Sequence, residues 1–316
     1  MKSRNFQLIE TNGVRLRAVV EGKGPLVILL HGFPQLWYLW RHQIVPLVDA
    51  GFQIIAPDQR GYGGSDCPAE IEDYNIIELT NDVVGLADAL GHEQFILVGH
   101  DWGAPVAWHT ALLHPQRVRA VVGLSVPYNR WQVGTMTRQE NFGDNFWYMT
   151  YFQQPGVAES ELETDIRRSL RTIYFMTSGD VPAEMRPIRK PATAKLLDGM
   201  SDPERFPSWM AEEDLDYYVA QFEQSGFRGP LNWYRNIDRN IEITPQLETA
   251  KIEQPSFFIA GQKDPVVSFG GWLSQMDNWV TDLRGKVFIE GAGHWVQMER
   301  PSELNQALIG FLKTVS

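Results

Sequence analysis

Short apolar runs alternate with longer amphipathic segments over the first part of the chain. Such runs predict buried strands, and apolar positions that recur with a helical period predict helices. Strands are predicted at residues 6–10, 16–20, 26–30, 53–56, 95–98 and 120–124. Helices are predicted between them at residues 38–50, 76–90 and 105–114. Buried strands that alternate with helices are typical of an α/β protein with a mostly parallel sheet covered on both faces.

The alternation stops in the middle of the chain and returns near its end. Residues 128–243 carry no clear strand pattern and are rich in aromatic and charged residues. Helices are predicted there at residues 159–177, 212–224 and 231–239. Further along, strands are predicted at residues 256–260 and 286–290, and a last helix at residues 302–313. We therefore expect a core of residues 1–127 and 244–316 with a sheet of about eight strands, and an inserted all-helical cap.

A separate tethered domain is the alternative for the middle segment. Tethered domains are usually joined by flexible Gly/Ser-rich or charged linkers. No linker of that composition flanks residues 128–243. The pattern therefore favours a cap that sits on the sheet.

The fifth predicted strand leads into the sequence G-H-D-W-G, which is centred on Asp101. In the nucleophile elbow between a strand and a helix, two small residues stand two positions before and two positions after the central nucleophile. The flanking residues are small because larger side chains would strike the following helix. Serine usually stands at the centre, whereas this chain has an aspartate, and such a strained turn is normally kept for function. Asp101 is therefore the candidate nucleophile.

An elbow nucleophile needs an orienting acid and a base, which follow it along the chain in that order. Asp264 ends the sequence G-Q-K-D after one late strand, and His294 ends G-A-G-H after the next. Both are expected at the carboxyl edge of the sheet, where ligands bind in open α/β folds. The loop H-G-F-P follows the third strand, so the backbone N–H groups of Phe33 and Trp102 are the expected oxyanion donors. Together these elements indicate the α/β-hydrolase fold.

The motifs H-G-F-P, G-H-D-W-G-A, G-Q-K-D and G-A-G-H-W together resemble those of the epoxide hydrolases of the α/β-hydrolase fold, most closely the hydrolase domain of the soluble epoxide hydrolases. The likeness covers nearly the whole chain and includes two segments similar to that family's lid-tyrosine segments. It implies that Tyr148 and Tyr234 bind the epoxide oxygen, with Tyr151 as a lesser candidate. It also implies that an epoxide is converted to a vicinal diol through an ester on Asp101, which water activated by His294 hydrolyses.

A carboxylate nucleophile suits an epoxide because the substrate has no carbonyl group. A carboxylate can displace the strained oxygen from an sp³ carbon and become an ester whose carbonyl belongs to the enzyme. Water activated by His294, with Asp264 orienting the ring, can then attack Cγ of Asp101. The chain contains 11 tryptophans, which fits an aromatic-walled pocket as well as an aromatic core. The substrate pocket is expected to include Phe33, Trp102, Tyr151, Phe152, Trp233 and Trp295.

Two other functions could use the same residues. Haloalkane dehalogenases share the aspartate elbow, and they hold the halide with the tryptophan after it and often with the Asn of H-G-N-P. Trp102 is present here, but Phe33 has no side-chain donor. A non-catalytic small-molecule receptor is the second alternative, since folds do not dictate function. An intact set of Asp101, Asp264 and His294 speaks against it.

Composition narrows the expected partners. The net charge of −11 argues against a nucleic-acid partner, because phosphate binding needs a basic face. Cys67 is the only cysteine, which excludes an intramolecular disulfide and fits a reducing compartment. The first ten residues lack the apolar stretch of a signal peptide, and residues 26–30, the longest aliphatic run, are too few to span a bilayer. We expect a cytoplasmic monomer or homodimer that acts on a small apolar epoxide and water, with no cofactor and no metal.

Overall fold

The computed structural model describes residues 4–185, 189–203, 206–268 and 271–316. In these residues one sheet is formed by β1 (Phe6–Thr11), β2 (Val14–Gly22), β3 (Leu26–Leu30), β4 (Gln53–Pro57), β5 (Phe95–His100), β6 (Val118–Leu124), β7 (Ser256–Gly261) and β8 (Leu283–Ile289). The strand order is β1-β2-β4-β3-β5-β6-β7-β8. The pairs β1/β2 and β2/β4 are antiparallel, and all the others are parallel.

The α-helices are α1 (Ile44–Asp49), α2 (Ile76–Ala89), α3 (Gly103–Leu113), α4 (Tyr148–Tyr151), α5 (Val157–Leu162), α6 (Ile166–Met176), α7 (Glu212–Ser225), α8 (Arg228–Arg235), α9 (Ile237–Glu242), α10 (Trp272–Gln275), α11 (Val296–Glu299) and α12 (Pro301–Val315). Short 3-10 helices occupy Trp37–Trp40, Ile71–Tyr74, Gln139–Asn141, Ala183–Met185, Pro245–Leu247, Val266–Ser268 and Met276–Asn278. Helix α1 packs with α12, and α2 packs with α3, so that two helical groups cover the two faces of the sheet. The predicted fold class, a mostly parallel sheet of about eight strands with helices on both faces, is confirmed.

The apolar composition of the central strands explains why they lie in the middle of the sheet. Every residue of β3 and of β5 is buried, as expected for parallel strands with both faces covered. The predicted strands are all present, and their ends differ from the predicted ones by at most three residues. The largest difference is at β8, which begins at Leu283 rather than at residue 286.

The helix predicted at residues 38–50 is divided into the 3-10 helix Trp37–Trp40 and α1. Pro46 lies in the first turn of α1. A proline there has no N–H to donate, and its ring would clash with the carbonyl of residue 42 in a continuous helix. The helix therefore restarts just before the proline.

Two more predicted helices are each divided in two. The prediction at residues 159–177 corresponds to α5 and α6, because the Asp165 side chain accepts a hydrogen bond from the Arg168 N–H at 2.9 Å and begins α6 as its N-cap. The prediction at residues 231–239 corresponds to the end of α8 and the start of α9. Asn236 lies between them and donates to the Ile71 and Asn232 carbonyl oxygens at 2.6 and 2.9 Å.

The chain between β6 and β7 adds α4 to α9 but, in its described residues, no strand to the sheet. These helices rest on loops that follow the carboxyl ends of the parallel strands. The Tyr174 hydroxyl donates to the Pro34 carbonyl oxygen after β3 at 2.7 Å, and the Trp233 indole N–H donates to the Arg60 carbonyl oxygen after β4 at 3.2 Å. The segment therefore lies over the edge of the sheet where the predicted site residues are expected.

None of the helices in the described part of the chain combines the length and the apolar character needed to cross a membrane.

Candidate active site

Asp101 stands on a sharp turn between β5 and α3. Its backbone φ of +50° lies in the left-handed region, which is strained for a residue other than glycine. The turn is so tight that a Cβ at Gly99 would lie 2.0 Å from the Gly103 carbonyl oxygen, so glycine is required there. The predicted elbow is therefore present. It places the Asp101 carboxylate beside the N-terminus of α3, where the helix dipole stabilises negative charge.

The loop after β3 reaches the same carboxylate. The Phe33 backbone N–H, one of the two predicted oxyanion donors, donates to Asp101 Oδ1 at 2.7 Å. A Cβ at Gly32 would lie 2.3 Å from that oxygen and 2.6 Å from the backbone nitrogen of Trp102, the second predicted donor. Only glycine allows so close an approach. The loop after β3 thus brings the Phe33 N–H to Asp101 and approaches the Trp102 nitrogen closely.

His31 orders this loop from beneath. It is fully buried, and its Nε2 accepts a hydrogen bond from the Gln59 backbone N–H at 3.0 Å, while Nδ1 lies 2.9 Å from the Gly32 carbonyl oxygen. Burial lowers the pKa of His31 to about 4, against the smaller effects of Gly32 and nearby carboxylates. The ring is therefore neutral and acts as a fixed spacer for the oxyanion loop.

His294 lies between the two predicted carboxylates. Its Nδ1 is 3.1 Å from both oxygens of Asp264, and its Nε2 is 3.6 Å from Asp101 Oδ2. Asp264 is only 3% exposed, and its Oδ1 also accepts a hydrogen bond from the Val266 backbone N–H at 2.9 Å. The acid thus holds one side of the imidazole, and the other side faces the nucleophile. The structure brings together all three residues of the predicted set.

The charges of Asp101 and His294 depend on each other. Burial opposes protonation of His294, but Asp264 and Asp101 outweigh it and raise the pKa of His294 to about 10. Burial likewise opposes ionisation of Asp101, yet the hydrogen bond and charge of His294 bring the pKa of Asp101 below its usual value. In the free enzyme at neutral pH, Asp101 is therefore a carboxylate and His294 an imidazolium.

The two predicted lid tyrosines come from different helices and meet above Asp101. Tyr148 begins α4 and Tyr234 lies in α8, and their ring centroids are 5.9 Å apart at 80°. Tyr234 also contacts Trp102 and Phe33, with ring centroids at 5.1 and 5.5 Å. Burial, and next the charge of Asp101, raises the pKa of both tyrosines above the usual value. Both phenols therefore stay protonated and can donate hydrogen bonds at neutral pH.

The predicted pocket residues take different positions. Phe152 lies beside the tyrosines, with ring centroids 5.6 Å from Phe33 and 4.9 Å from Tyr234. Tyr151 packs on Phe152 at 6.1 Å, but its hydroxyl donates to Glu161 Oε2 at 2.8 Å. The hydroxyl of Tyr151 is thus engaged by another side chain.

The two remaining predicted pocket tryptophans pack against residues of the candidate site. Trp233 is fully buried, with its ring 5.9 Å from that of Trp102 and its indole N–H donating to a backbone carbonyl. Trp295 packs edge-to-face on His294 at 4.6 Å, and its indole N–H donates to the Tyr174 carbonyl oxygen at 2.8 Å. Both indoles are thus held by a hydrogen bond to a backbone carbonyl and pack against Trp102 or His294.

Glu299 holds the loop of His294 and was not among the predicted residues. One carboxylate oxygen accepts the Trp295 N–H at 3.0 Å. The other accepts the Gly293 and Gly179 N–H groups at 2.9 and 2.8 Å. Two of these donors flank His294, and the third belongs to the segment between β6 and β7. A charged residue at the end of the mostly apolar run W-V-Q-M-E is the sequence signal for this role.

His100 supports His294 from the side of the elbow. The two rings lie 4.6 Å apart, and His100 Nε2 is 2.8 Å from the His294 carbonyl oxygen. Burial, and next the charge of His294, lowers the pKa of His100 to about 3. The neutral ring therefore donates from Nε2 to that carbonyl and fixes the backbone of the base.

Comparisons with known proteins agree with this geometry. The sequence profile described as alpha/beta hydrolase fold matches residues 25–301. Epoxide hydrolase A of Mycobacterium tuberculosis (strain ATCC 25618 / H37Rv) is 48% identical over 97% of this chain and 96% of its own length. Bifunctional epoxide hydrolase 2 of Rattus norvegicus is 40% identical over 96% of this chain, which spans 54% of that relative.

Solved structures give the same result. The crystal structure of epoxide hydrolase A from Mycobacterium thermoresistibile superposes with a TM-score of 0.92 and 47% identity, and the match covers 99% of each chain. An epoxide hydrolase from an endophytic Streptomyces superposes with a TM-score of 0.94 and 39% identity, over 99% of this chain and 96% of its own. The chain therefore belongs to the epoxide hydrolases of the α/β-hydrolase fold.

Proposed function

We propose that this protein hydrolyses an epoxide to a vicinal diol through a covalent ester on Asp101. The observation that carries the proposal is the environment of that carboxylate. One oxygen accepts the Phe33 N–H at 2.7 Å, and the other lies 3.6 Å from His294 Nε2. A carboxylate in this position can both attack carbon and, as an ester, present its carbonyl group to water. The epoxide hydrolases among the relatives support the same reaction.

In the first step, Asp101 Oδ2 attacks an epoxide carbon while Oδ1 stays on the Phe33 N–H. The carbon–oxygen bond of the strained ring breaks, and the bonding electrons go to the ring oxygen. Tyr148 and Tyr234 hold that oxygen and supply its proton, because both phenols are protonated at neutral pH. The phenolate that remains then takes a proton from the His294 imidazolium and becomes a phenol again.

In the second step, the charge of Asp101 decides when His294 becomes a base. Esterification neutralises one of the two carboxylates that raise the pKa of His294. The neutral imidazole, held by Asp264, can then take a proton from water as the water oxygen attacks Cγ of Asp101. The Phe33 and Trp102 N–H groups stabilise the resulting oxyanion. Its collapse breaks the bond between Cγ and the substrate oxygen, and that oxygen takes the proton that His294 removed from water, which completes the diol. The new carboxyl group of Asp101 then gives its proton to His294, so the carboxylate and the imidazolium are regenerated and the new oxygen of the product comes from the enzyme.

We also propose residues 128–243 as a cap, and residues 1–127 with 244–316 as the hydrolase core. Two observations support this division. The strands of the sheet all belong to the proposed core, and the helices that carry Tyr148 and Tyr234 belong to the proposed cap. The aromatic side chains of Phe33, Trp102 and Phe152 around these tyrosines favour a small apolar epoxide. From composition, we propose a cytoplasmic monomer or homodimer.

The covalent step can be tested with oxygen-18 water. With enzyme in excess and a single turnover, label is expected in the Asp101 carboxylate and not in the diol. The variant His294→Gln is expected to retain the mass of one intact epoxide on the peptide that contains Asp101. Direct attack by water, with His294 as general base, predicts the opposite: labelled diol, unlabelled Asp101 and no adduct. That result would refute the covalent step while leaving epoxide hydrolysis itself intact.

A further inference from the structure

A second cavity lies beside the candidate active site. It has a volume of about 680 Å³, a size typical of small-molecule sites. Its walls come from the start of α3, from the loop after β6, from α9 and from the segment that follows α9. Aromatic side chains form much of the wall, including Trp102, Trp108, Tyr128, Trp131 and Trp279.

Arg130 gives this cavity a positive charge. Its guanidinium lies over the Trp279 ring, 5.0 Å from the centroid. Its Nε and Nη2 atoms are buried, and within the described part of the chain neither has a hydrogen-bond partner. The indole nitrogen of Trp131, another lining residue, is also buried and has no partner among the described residues. Arg130 as a whole is half-buried, but buried N–H groups without a partner are costly unless an acceptor binds to them.

The other titratable residues of the cavity do not neutralise Arg130. The Tyr128 side chain hydrogen-bonds with Arg130, but burial raises the pKa of this phenol, so it stays uncharged. Burial lowers the pKa of His109 to about 4, although the hydrogen bond with the Pro105 carbonyl oxygen acts in the opposite direction. The His109 ring is therefore neutral. Glu242 and Glu248 also line the cavity, but both are exposed. Among the described residues that line the cavity, the aromatic side chains and Arg130 therefore form the interior, and the acidic groups belong to its solvent side.

We propose that this cavity binds a carboxylate attached to an apolar chain or ring, with Arg130 as the anion-binding residue. A guanidinium binds a carboxylate through two parallel N–H donors, and the aromatic walls accommodate the apolar part. Trp102 belongs to both sites, since it lines the cavity and its ring lies 5.1 Å from that of Tyr234. The carboxylate comes either from a separate acid or from the far end of an acidic epoxide. The binding itself does not depend on the proposed function.

Calorimetry with 4-phenylbutyrate and its neutral counterpart 4-phenylbutan-1-ol tests the site. Wild-type protein is expected to bind the acid at least about tenfold more tightly than the alcohol, as for a hydrogen-bonded charge pair. Arg130→Met is expected to lose this preference, and Arg130→Lys to keep part of it. Arg138→Met is the matched control, because it removes an equal charge from an arginine whose side chain is 60% exposed. Equal affinity for the acid and the alcohol, or unchanged acid binding by Arg130→Met, would overturn the proposal.

A kinetic comparison then identifies the source of the carboxylate. If it belongs to the substrate, 10,11-epoxyundecanoate should show a KM at least several-fold below that of its methyl ester, and Arg130→Met should remove the difference. If it belongs to a separate acid, the two KM values should agree, and 4-phenylbutyrate should inhibit without competing with styrene oxide. Absence of all epoxide turnover would contradict the proposed function, whereas the calorimetric result would still decide the carboxylate site.

Discussion

At the scale of single residues, the proposed chemistry depends on the charge of Asp101, which the ester removes and hydrolysis restores. His294 lies between the carboxylates of Asp101 and Asp264, and both favour its protonated form. An imidazolium cannot take a proton from water, so in the free enzyme His294 pairs with the nucleophile instead. Alkylation of Asp101 removes that partner. The order of the two proposed steps is therefore imposed by electrostatics rather than by a movement of the chain.

Asp101→Asn imitates the neutral ester and should lower the pKa of His294. Asp264 and Asp101 raise the pKa of this buried histidine to about 10 in wild type, against a usual value of 6.5. A raised folded-state pKa contributes stability that is fully present below pH 6.5 and is lost as the pH rises toward 10. The variant should lose this contribution at a lower pH.

NMR titration of the His294 ring and urea unfolding across the same pH range measure both effects. Asp66→Asn serves as a control, because Asp66 pairs with the exposed Arg15. Titration of the wild-type ring near its usual pKa, with no change in Asp101→Asn, would contradict the coupling.

The two lid phenols should share the stabilisation of the leaving oxygen. Tyr148→Phe and Tyr234→Phe are each expected to slow ring opening, and the double variant should nearly abolish it. Losing one donor to developing negative charge typically costs about 2.7–4 kcal/mol. Tyr151→Phe is expected to retain its rate, because the Tyr151 hydroxyl already donates to Glu161. Rapid-quench measurement of ester formation gives the rates. A double variant with nearly full turnover would remove both phenols from the mechanism.

At the scale of secondary-structure elements, the site is assembled where parallel strands end. Asp101 follows β5, Asp264 follows β7 and His294 follows β8, while the oxyanion loop follows β3. Because β3 pairs with β5 and β7 with β8, their carboxyl ends meet at one edge. Each catalytic side chain therefore needs only a short loop to reach its partner.

The sequence predicts the site residues that follow the strands well, and the residues that surround them less well. Buried strands and the spacing of short motifs are local signals, and they lead to Asp101, Asp264 and His294. The tyrosines depend on the family resemblance, since nothing local distinguishes Tyr234 from other buried tyrosines of the cap segment. Positions such as those of Trp233 and Trp295 depend on how helices face the core, which is a long-range property. Glu299 is missed because a glutamate two residues before a proline, next to Arg300, is ordinarily read as an exposed residue at a helix boundary.

Glu299→Gln should impair the second step more than the first. The carboxylate accepts three backbone N–H groups, two of which flank His294. An amide would turn its own N–H₂ group toward at least one of these donors, and an unsatisfied buried donor costs about 1–3 kcal/mol. The loop of the base should then lose its fixed position, while Asp101 keeps its own. We expect the ester to accumulate during turnover.

Rapid-quench mass spectrometry of the Asp101 peptide measures this accumulation. Glu303→Gln is the matched control, since Glu303 is exposed in the first turn of α12. Equal slowing of alkylation and hydrolysis would point to general destabilisation and contradict a positioning role.

At the scale of the whole molecule, the segment between β6 and β7 closes the site from above. Polar contacts and aromatic packing hold this segment against the rest of the molecule. Arg41 pairs with Asp214 at 3.1 Å, and the Tyr174 hydroxyl binds the loop of Phe33 through the Pro34 carbonyl oxygen. One set of helices thus contributes the phenols and also contacts the oxyanion loop. The site that results places two protonated phenols close to the Asp101 carboxylate, where they can stabilise a leaving oxygen.

The site around Asp101, Tyr148 and Tyr234 should select oxygen rather than halide as the leaving group. Phe33 offers only its backbone N–H, which Asp101 occupies, and the phenols of Tyr148 and Tyr234 are positioned to protonate an alkoxide. A departing halide needs fixed side-chain N–H donors and gains nothing from an acid that can transfer a proton. The Trp102 indole is one such donor, but it hydrogen-bonds with Tyr234, and the side chain of Phe33 offers no second one. We therefore expect conversion of styrene oxide to its diol, with little or no halide release from 1-chlorobutane or 1,2-dibromoethane. Chromatography of the diol and ion chromatography of halide, with Asp101→Asn as the inactive control for both, measure the two reactions. Efficient halide release without diol formation would show that the aspartate elbow serves dehalogenation, and that the two tyrosines above it have another role.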